Sequence, residues 1–205
     1  MPHTVRHLAA LGVHPDGMPF RGVAYHAGRR TASASFDDGP GLGVRRTVLH
    51  QAMLDAAESA GVRVIGGSVH TIEQGPDSVS VNGIRARYLA AADGLHSPIR
   101  ALLGLQRHSA GRRRWGLTRH VRVAPWTDCV EVHWAPDRDA GEAYVTPVAD
   151  DCVGIAILTS RRGGFDDHLA AFPVLRERLS GSAHGPDRAA GPLRQRVTGR
   201  VAGRV

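Results

Sequence analysis

Apolar positions recur along this chain in two rhythms, one helical and one alternating, and together they predict most of its elements. Residues 2 to 12 place Val5, Leu8, Ala9 and Leu11 on a partial stripe, so a short helix closing at Gly12 is expected. In "FRGVAYHAGRRTASASF" two alternating runs flank "HAGRR", which predicts a β-hairpin near residues 19–36. The next segment, "DDGPGLG" (Asp37–Gly43), is rich in turn formers and reads as a flexible connection. From Arg45 the period is helical: Val48, Leu49, Ala52, Met53, Ala56, Ala57 and Ala60 share one face, and Gly61 supplies the left-handed stop. "VRVI" (Val62–Ile65) then reads as a short strand, so helix and strand together look like the second half of a βαβ unit.

"SVHTIEQ" and "SVSVNGIRARYLAAA" read as strands, separated by a Gly75-Pro76-Asp77 turn and folded at Asn82-Gly83, a strong signal for a tight hairpin turn. The last of them runs into Asp93-Gly94, after which Pro98 suits a first helical turn. Beyond Leu105 the basic connection "QRHSAGRRRWG" leads to the apolar runs "LTRHVRVA", "CVEVHW", "AYVTPVA" and "CVGIAILTS". Val130, Val132 and Trp134 share one face while Glu131 and His133 take the other, the pattern of an antiparallel sheet with one face covered. "FDDHLAAFPVLRERL" is helical with a break at Pro173, and "PLRQRVTGRVAGRV" ends the chain as an alternating strand.

Composition narrows what such a chain can be. With 205 residues, 42% of them hydrophobic, it can bury a substantial core. No window of eighteen consecutive apolar residues exists, so stable membrane insertion is not expected. The N-terminus lacks the apolar core and cleavage site of a secretory signal, which leaves a cytoplasmic location as the default expectation. The net charge of +7 raises nucleic acid as a partner. Against it, all 26 basic residues are Arg, and the densest clusters, Gly111–Trp115 and Arg194–Arg204, are short or interleaved with apolar positions. No nucleic-acid motif accompanies them, and no such partner is expected. Cys129 and Cys152 fall in strand-like runs and read as buried thiols. The 12 histidines are scattered, with neither H-E-x-x-H nor a pair on one helix face, so no metal is assigned. Oligomeric state is left open.

Candidate chemistry concentrates in "LAAADGLHSPIR" (Leu89–Arg100) and at Arg45-Arg46. On its own, Asp and Ser before a short helix satisfy the free N–H groups of its first turn. Paired positive charge at a helix start is mildly unfavourable to the macrodipole, a cost that fits a bound anion. The longer stretch "ARYLAAADGLHSPIR" closely resembles the Asp-Gly fingerprint of flavoprotein monooxygenases and reductases with the para-hydroxybenzoate hydroxylase type of fold. Asp93, Gly94, Ser97 and Arg100 match it. "RTVLHQAM" is similar to the helix start that presents an Arg to the flavin in that superfamily, here Arg46, with His50 in the fifth position. The chain looks most like the geranylgeranyl-reductase branch, over essentially its whole length.

The resemblance implies FAD as cofactor and a small-molecule substrate. Arg46, with Arg45 beside it, would make forked, charge-assisted bonds to phosphate or ribityl oxygens. Asp93 would accept from a cofactor hydroxyl near Ser97, and Gly94 would let the backbone approach without a Cβ. The protein would position and tune a flavin that carries the redox chemistry. It also implies an α/β (α+β) fold: a partial FAD-binding, Rossmann-like domain over 1–105 with the hairpin near 19–36 as an excursion, an antiparallel-sheet substrate domain over 116–195, and a strand over 196–205 returning to the first domain. The family's G-x-G-x-x-G turn and its later Gly-Asp-Ala motif have no counterpart in these residues. The chain therefore reads as a middle portion expected to bind FAD poorly or not at all by itself.

In geranylgeranyl reductases the substrate pocket carries a Tyr-x-Trp-x-Phe-Pro pattern followed by Gly-x-Gly. "EAYVTP" resembles it with Tyr144 for Trp, Thr146 for Phe and Pro147 retained, and Gly154 and Ala156 follow. Tyr144, Pro147 and Trp134 are thus candidate substrate contacts, with ordinary sheet packing the alternative for Tyr144 and Trp134. No catalytic acid or base is assigned. The implied reaction is hydride transfer from flavin, reduced by NAD(P)H, to an unsaturated substrate such as an isoprenoid. The rivals are an FAD monooxygenase acting on a small organic molecule and a non-catalytic truncated domain.

Overall fold

A computed structural model describes residues 1–106, 113–137, 140–193 and 203. The strand expected over 196–205 and the basic stretch Arg194–Arg204 lie outside the described residues, apart from Gly203, and the Gly111–Trp115 cluster is described only from residue 113. The chain divides into two compact units: Met1–Arg63 with Arg113–Pro192, and Val64–Arg112 with Leu193–Val205.

Helix α1 (Pro2–Ala10) starts on proline and stops at Gly12, whose φ of +72° only glycine adopts without strain. The Gly12 and Val13 N–H groups donate to Ala9 and Leu8 carbonyls at 3.0 and 2.9 Å, a Schellman stop that buries Val13. Its expected stripe is only half realised: Val5 and Leu8 are half-buried, while Leu11 turns out to solvent. Strand β1 (Met18–Phe20) precedes the hairpin of β2 (Gly22–Ala27) and β3 (Arg30–Ser35), which pairs Ala27 with Arg30 across Gly28 at φ +60°.

The segment read as a flexible connection is instead partly a strand, β4 (Gly41–Gly43), paired antiparallel with β1. Its glycines serve packing. A β-carbon on Gly43 would collide with the Pro147 carbonyl oxygen, and one on Gly41 would enter the Phe20 ring. Helix α2 (Arg46–Ser59) follows and ends in the same Schellman geometry, with Gly61 and Val62 donating to Glu58 and Ala57 at 2.9 and 3.0 Å. None of its residues is buried, and Met53 of the expected stripe is half exposed.

The strand expected at Val62–Ile65 does not form, and Val62, Val64 and Ile65 are each more than half exposed. β-branched residues favour a strand only where a neighbour completes the ladder, and no described strand flanks this segment. The second unit holds a three-stranded antiparallel sheet of β5 (Ile72–Gln74), β6 (Val79–Val81) and β7 (Ile84–Ala86). Asn82 and Gly83, at φ +48° and +83°, make the predicted tight turn between Val81 and Ile84. The last strand ends at Ala86 rather than running to Asp93, so Leu89–Ala92 is irregular for the same lack of a partner. Pro98 opens helix α3 (Pro98–Leu102).

The first unit resumes with β8 (Arg114–Arg122), β9 (Cys129–Trp134), β10 (Glu142–Ala149) and β11 (Cys152–Thr159), which realise the predicted apolar runs. Helices α4 (Phe165–Leu169) and α5 (Pro173–Leu179) follow, with Pro173 opening the second, and then β12 (Arg188–Leu193). The seven-stranded sheet has the order β12-β8-β11-β10-β9-β2-β3. β8, β11, β10 and β9 are antiparallel neighbours, and β2 pairs with β9 in parallel. The whole is the mixed α/β (α+β) arrangement expected from the sequence.

Leu117, Val121, Ala143, Val145, Val153, Ile155 and Ile157 bury one face of this sheet against Phe165 and Leu169 of α4, Leu175 and Leu179 of α5, and Phe172 between the two helices. Glu131 and His133 lie opposite Val145 and Ala143, so the polar side of β9 faces the covered side, and Trp134 stands on the open one. Cys129 and Cys152 are free and half-buried rather than buried, since both begin strands, and burial pushes both thiols up in pKa. Among the described residues no helix is long and apolar enough to cross a membrane.

Candidate functional site

The Asp-Gly stretch organises itself around α3. The Asp93 carboxylate accepts from the Ile99 N–H at 3.0 Å, and the Ser97 hydroxyl oxygen accepts from the Arg100 N–H at 2.9 Å. The Arg100 guanidinium closes the loop by donating to the Leu95 carbonyl at 2.7 Å. A hydrogen bond from Ser97, then the Ile99 N–H and the Arg100 charge, hold the Asp93 carboxyl below its ordinary pKa although burial opposes them. Gly94 is required by its backbone, with φ +84° and no chain atom within 4 Å of the place a β-carbon would take. Ser97 is buried, while Asp93 and Gly94 are exposed. These residues line a cleft of about 340 Å³ with Leu89, Ile99 and Leu103, so an ionised carboxylate borders a partly apolar recess.

Arg45 and Arg46 stand in the other unit, at the start of α2. Arg45 is its N-cap in extended conformation and offers no side-chain cap, so neither guanidinium is occupied by the helix it begins. Both are exposed. The seating of Gly43 against Pro147 fixes where they emerge, immediately beyond β4. Burial, and then the Arg45 charge, depress the His120 imidazole of β8.

On the open face of the large sheet β2, β9 and β10 bring aromatic residues together. Tyr25 and Tyr144 both lie opposite Val132, and the Tyr25 and Trp134 rings are 5.5 Å apart. Tyr25 and Trp134 are exposed. The Tyr144 hydroxyl is pushed up to about 12, first by burial and then by its hydrogen bond with Glu142, which also pairs with Arg114 at 2.8 Å. Pro147 does not join this patch; it is fully buried beneath β4. The structure thus groups Trp134 with Tyr144, and Asp93 with Gly94 and Ser97.

Two polar groupings escaped the reading of the sequence. Arg119, 7% exposed, makes paired hydrogen bonds to Asp187 (2.6 and 3.0 Å) and Asp166 (2.7 and 3.0 Å) and lies over the Phe165 ring. On β2 and β9, His26, Glu131 and His133 converge although more than a hundred residues of chain separate the first from the others. The only local signal was the Glu-x-His alternation of β9; the partner on β2 had none.

The profile of a family described as an FAD binding domain matches residues 42–159, more than half the chain. No curated protein matches the sequence. Among solved structures, the flavin-dependent halogenase CmlS superposes with a TM-score of 0.72 at 16% identity, over 92% of this chain and 40% of its own. A flavoprotein/dehydrogenase from Cytophaga hutchinsonii gives 0.71 at 17% identity, over 93% of this chain and 55% of its own. The halogenase PltM, in complex with phloroglucinol and FAD, gives 0.69 at 14% identity, over 91% and 45%. The chain spans about half the length of these proteins, and at such identities the likeness is one of fold.

Proposed function

Because the chain belongs to the FAD-binding domain family, we propose that it forms the cofactor-holding and substrate-facing part of an FAD-dependent oxidoreductase. The observation that carries this reading is the match over residues 42–159, which spans Arg45, Arg46, Asp93, Gly94, Ser97, Trp134, Tyr144 and Pro147. The donor set fits the cofactor. An exposed pair of guanidiniums suits a pyrophosphate or ribityl chain. An ionised, exposed carboxylate beside a 340 Å³ recess suits a sugar or polyol hydroxyl, and the open space around Gly94 leaves room for it.

FAD, when bound, supplies two-electron redox chemistry. The chain's own contribution is position. Asp93 orients a hydroxyl and is itself oriented by Ser97 and the Ile99 N–H. Arg46, supported by Arg45, neutralises negative charge. Tyr25, Trp134 and Tyr144 present an aromatic surface to a planar, unsaturated small molecule, and Tyr144 keeps its proton at neutral pH and can donate it in a hydrogen bond. The finer reading is reduction of such a substrate, in the manner of geranylgeranyl reductases, with NAD(P)H as donor. A second reading, oxygen-dependent hydroxylation or halogenation of an aromatic ring, is favoured by the fold shared with flavin-dependent halogenases. Donor consumption that requires oxygen would select the second; consumption without oxygen would select the first.

Titration of the purified chain with FAD, followed by quenching of flavin fluorescence, tests the common premise and also decides the sequence-based expectation of poor binding. Weak quenching is expected of the chain by itself, and it should fall about tenfold or more with Arg46→Ala and with Asp93→Asn, each of which removes a charge-assisted bond. Asparagine still caps α3, so its effect reports on the cofactor rather than the helix. Equal affinity in all variants would overturn the assignment, and tight stoichiometric binding by the chain alone would overturn the expectation of poor binding.

A further inference from the structure

We propose that His26, Glu131 and His133 bind a divalent transition-metal ion of the zinc class, at a site independent of the flavin reading. The parallel register of β2 and β9 sets His26 directly beside His133, and the two-residue period of β9 puts Glu131 on the same face. All three donors therefore stand on paired strands, the rigid part of the fold. One ligand atom from each lies within 4.8 Å of the others. His133 Nε2 is 2.9 Å from Glu131 Oε2, and His26 Nε2 is 3.7 Å from Glu131 Oε1.

The polar contacts around the cluster leave one buried ring nitrogen without a partner. Glu131, 6% exposed, accepts from the Trp126 indole N–H at 3.1 Å, which anchors the carboxylate. His26 Nδ1 lies 3.1 Å from the Thr31 hydroxyl. Its Nε2 is buried and has no hydrogen-bond partner. When Nδ1–H donates to Thr31, the unshared pair on Nε2 faces a carboxylate, and two acceptors are left in contact. A cation between them satisfies both, and a hydrogen bond to the second ring nitrogen orients a metal-bound imidazole. Two imidazoles and one carboxylate match the donor set that zinc prefers.

Two features oppose binding and set what must change. The imidazole rings are stacked, 4.4 Å apart at 16°, so one of them must rotate for both nitrogens to meet a single ion at about 2.0–2.1 Å. Arg178, whose charge reaches His26 and whose guanidinium lies over Trp126 at 5.0 Å, adds repulsion that the Glu131 carboxylate must offset.

The test is calorimetric titration of the untagged, chelator-stripped chain with zinc chloride, alongside the visible spectrum of the cobalt-loaded form. One equivalent is expected, with a cobalt spectrum of low, four- or five-coordinate symmetry. His26→Ala, His133→Ala and Glu131→Gln should each weaken binding at least tenfold, whereas His184→Ala, outside the cluster, should not. Circular dichroism reports whether each variant folds. Should a ligand variant fail to do so, Thr31→Val, on the exposed strand β3, should still weaken zinc by about tenfold and alter the cobalt spectrum. Absence of a stoichiometric site, or the same affinity in the folded ligand and Thr31 variants as in the parent chain, would overturn the proposal.

Discussion

Arg119 shows how one side chain joins parts of a fold that local pattern keeps separate. In the alternation of β8 it occupies a covered position between Leu117 and Val121, and it remains charged there because Asp166 from α4 and Asp187 before β12 take up its donors. Hydrogen bonds from Arg119 hold both carboxyls below their ordinary range. Proton binding to them is thus greater in the unfolded chain. Their contribution to stability is complete above about pH 4 and is lost as pH falls through the lower, folded values. Arg119→Met should therefore lower stability at pH 7 by about 2 kcal/mol, a figure reduced because both aspartates are partly exposed. Urea denaturation at pH 7 and pH 3 checks this, since the difference should shrink in acid; a gap that stays constant would contradict the account. The sequence marked neither aspartate, because a carboxylate that reaches its partner across 47 or 68 residues leaves no periodic trace.

At the scale of elements, the features that were legible are those whose cause is local. α1 and α2 both end on a glycine at positive φ, Gly12 and Gly61, and each lies where the periodic run stops. The Asn82-Gly83 turn is equally local, but its side chain does more than bend the chain. Asn82 Oδ1 accepts from the His70 and Thr71 N–H groups at 2.9 and 3.1 Å, and its Nδ2 donates to the Ser68 carbonyl at 2.7 Å. Asn82→Ala should cost about 1–3 kcal/mol in the three-stranded sheet, from lost bonds and a strained turn. NMR-detected hydrogen exchange of β5, β6 and β7 would show it; protection equal to the parent chain would refute it. The glycines of β4 depart from the expected loop for a complementary reason. Composition cannot distinguish a glycine that permits a turn from one that permits close packing, and Gly43 is the second kind.

Across the whole molecule the two units differ in how much apolar surface they enclose. The unit holding the large sheet buries five aliphatic or aromatic side chains from the α4–α5 segment against seven residues of β8, β10 and β11, whereas in the other the buried described residues are Val79, Ser97 and Ile99. In native-state exchange at low urea, amides of β5–β7 should therefore lose protection before those of β8, β10 and β11. Simultaneous loss at every urea concentration would show instead that the chain unfolds as one unit. Neighbours within a few residues suffice for the caps, the tight turns, the hairpin of β2 and β3, the strands β8 to β11 and the resemblance carried by Asp93, Gly94, Ser97 and Arg46, and these are legible in the amino-acid order. That Val62–Ile65 and Leu89–Ala92 stay irregular, that the Glu131 side of β9 faces the covered layer, and that β2 lies parallel to β9 with His26 beside His133 emerges from long-range packing alone. An alternating strand carries no mark of which face will be buried or which strand will flank it; those choices belong to the partners, and here the partners lie far away along the chain.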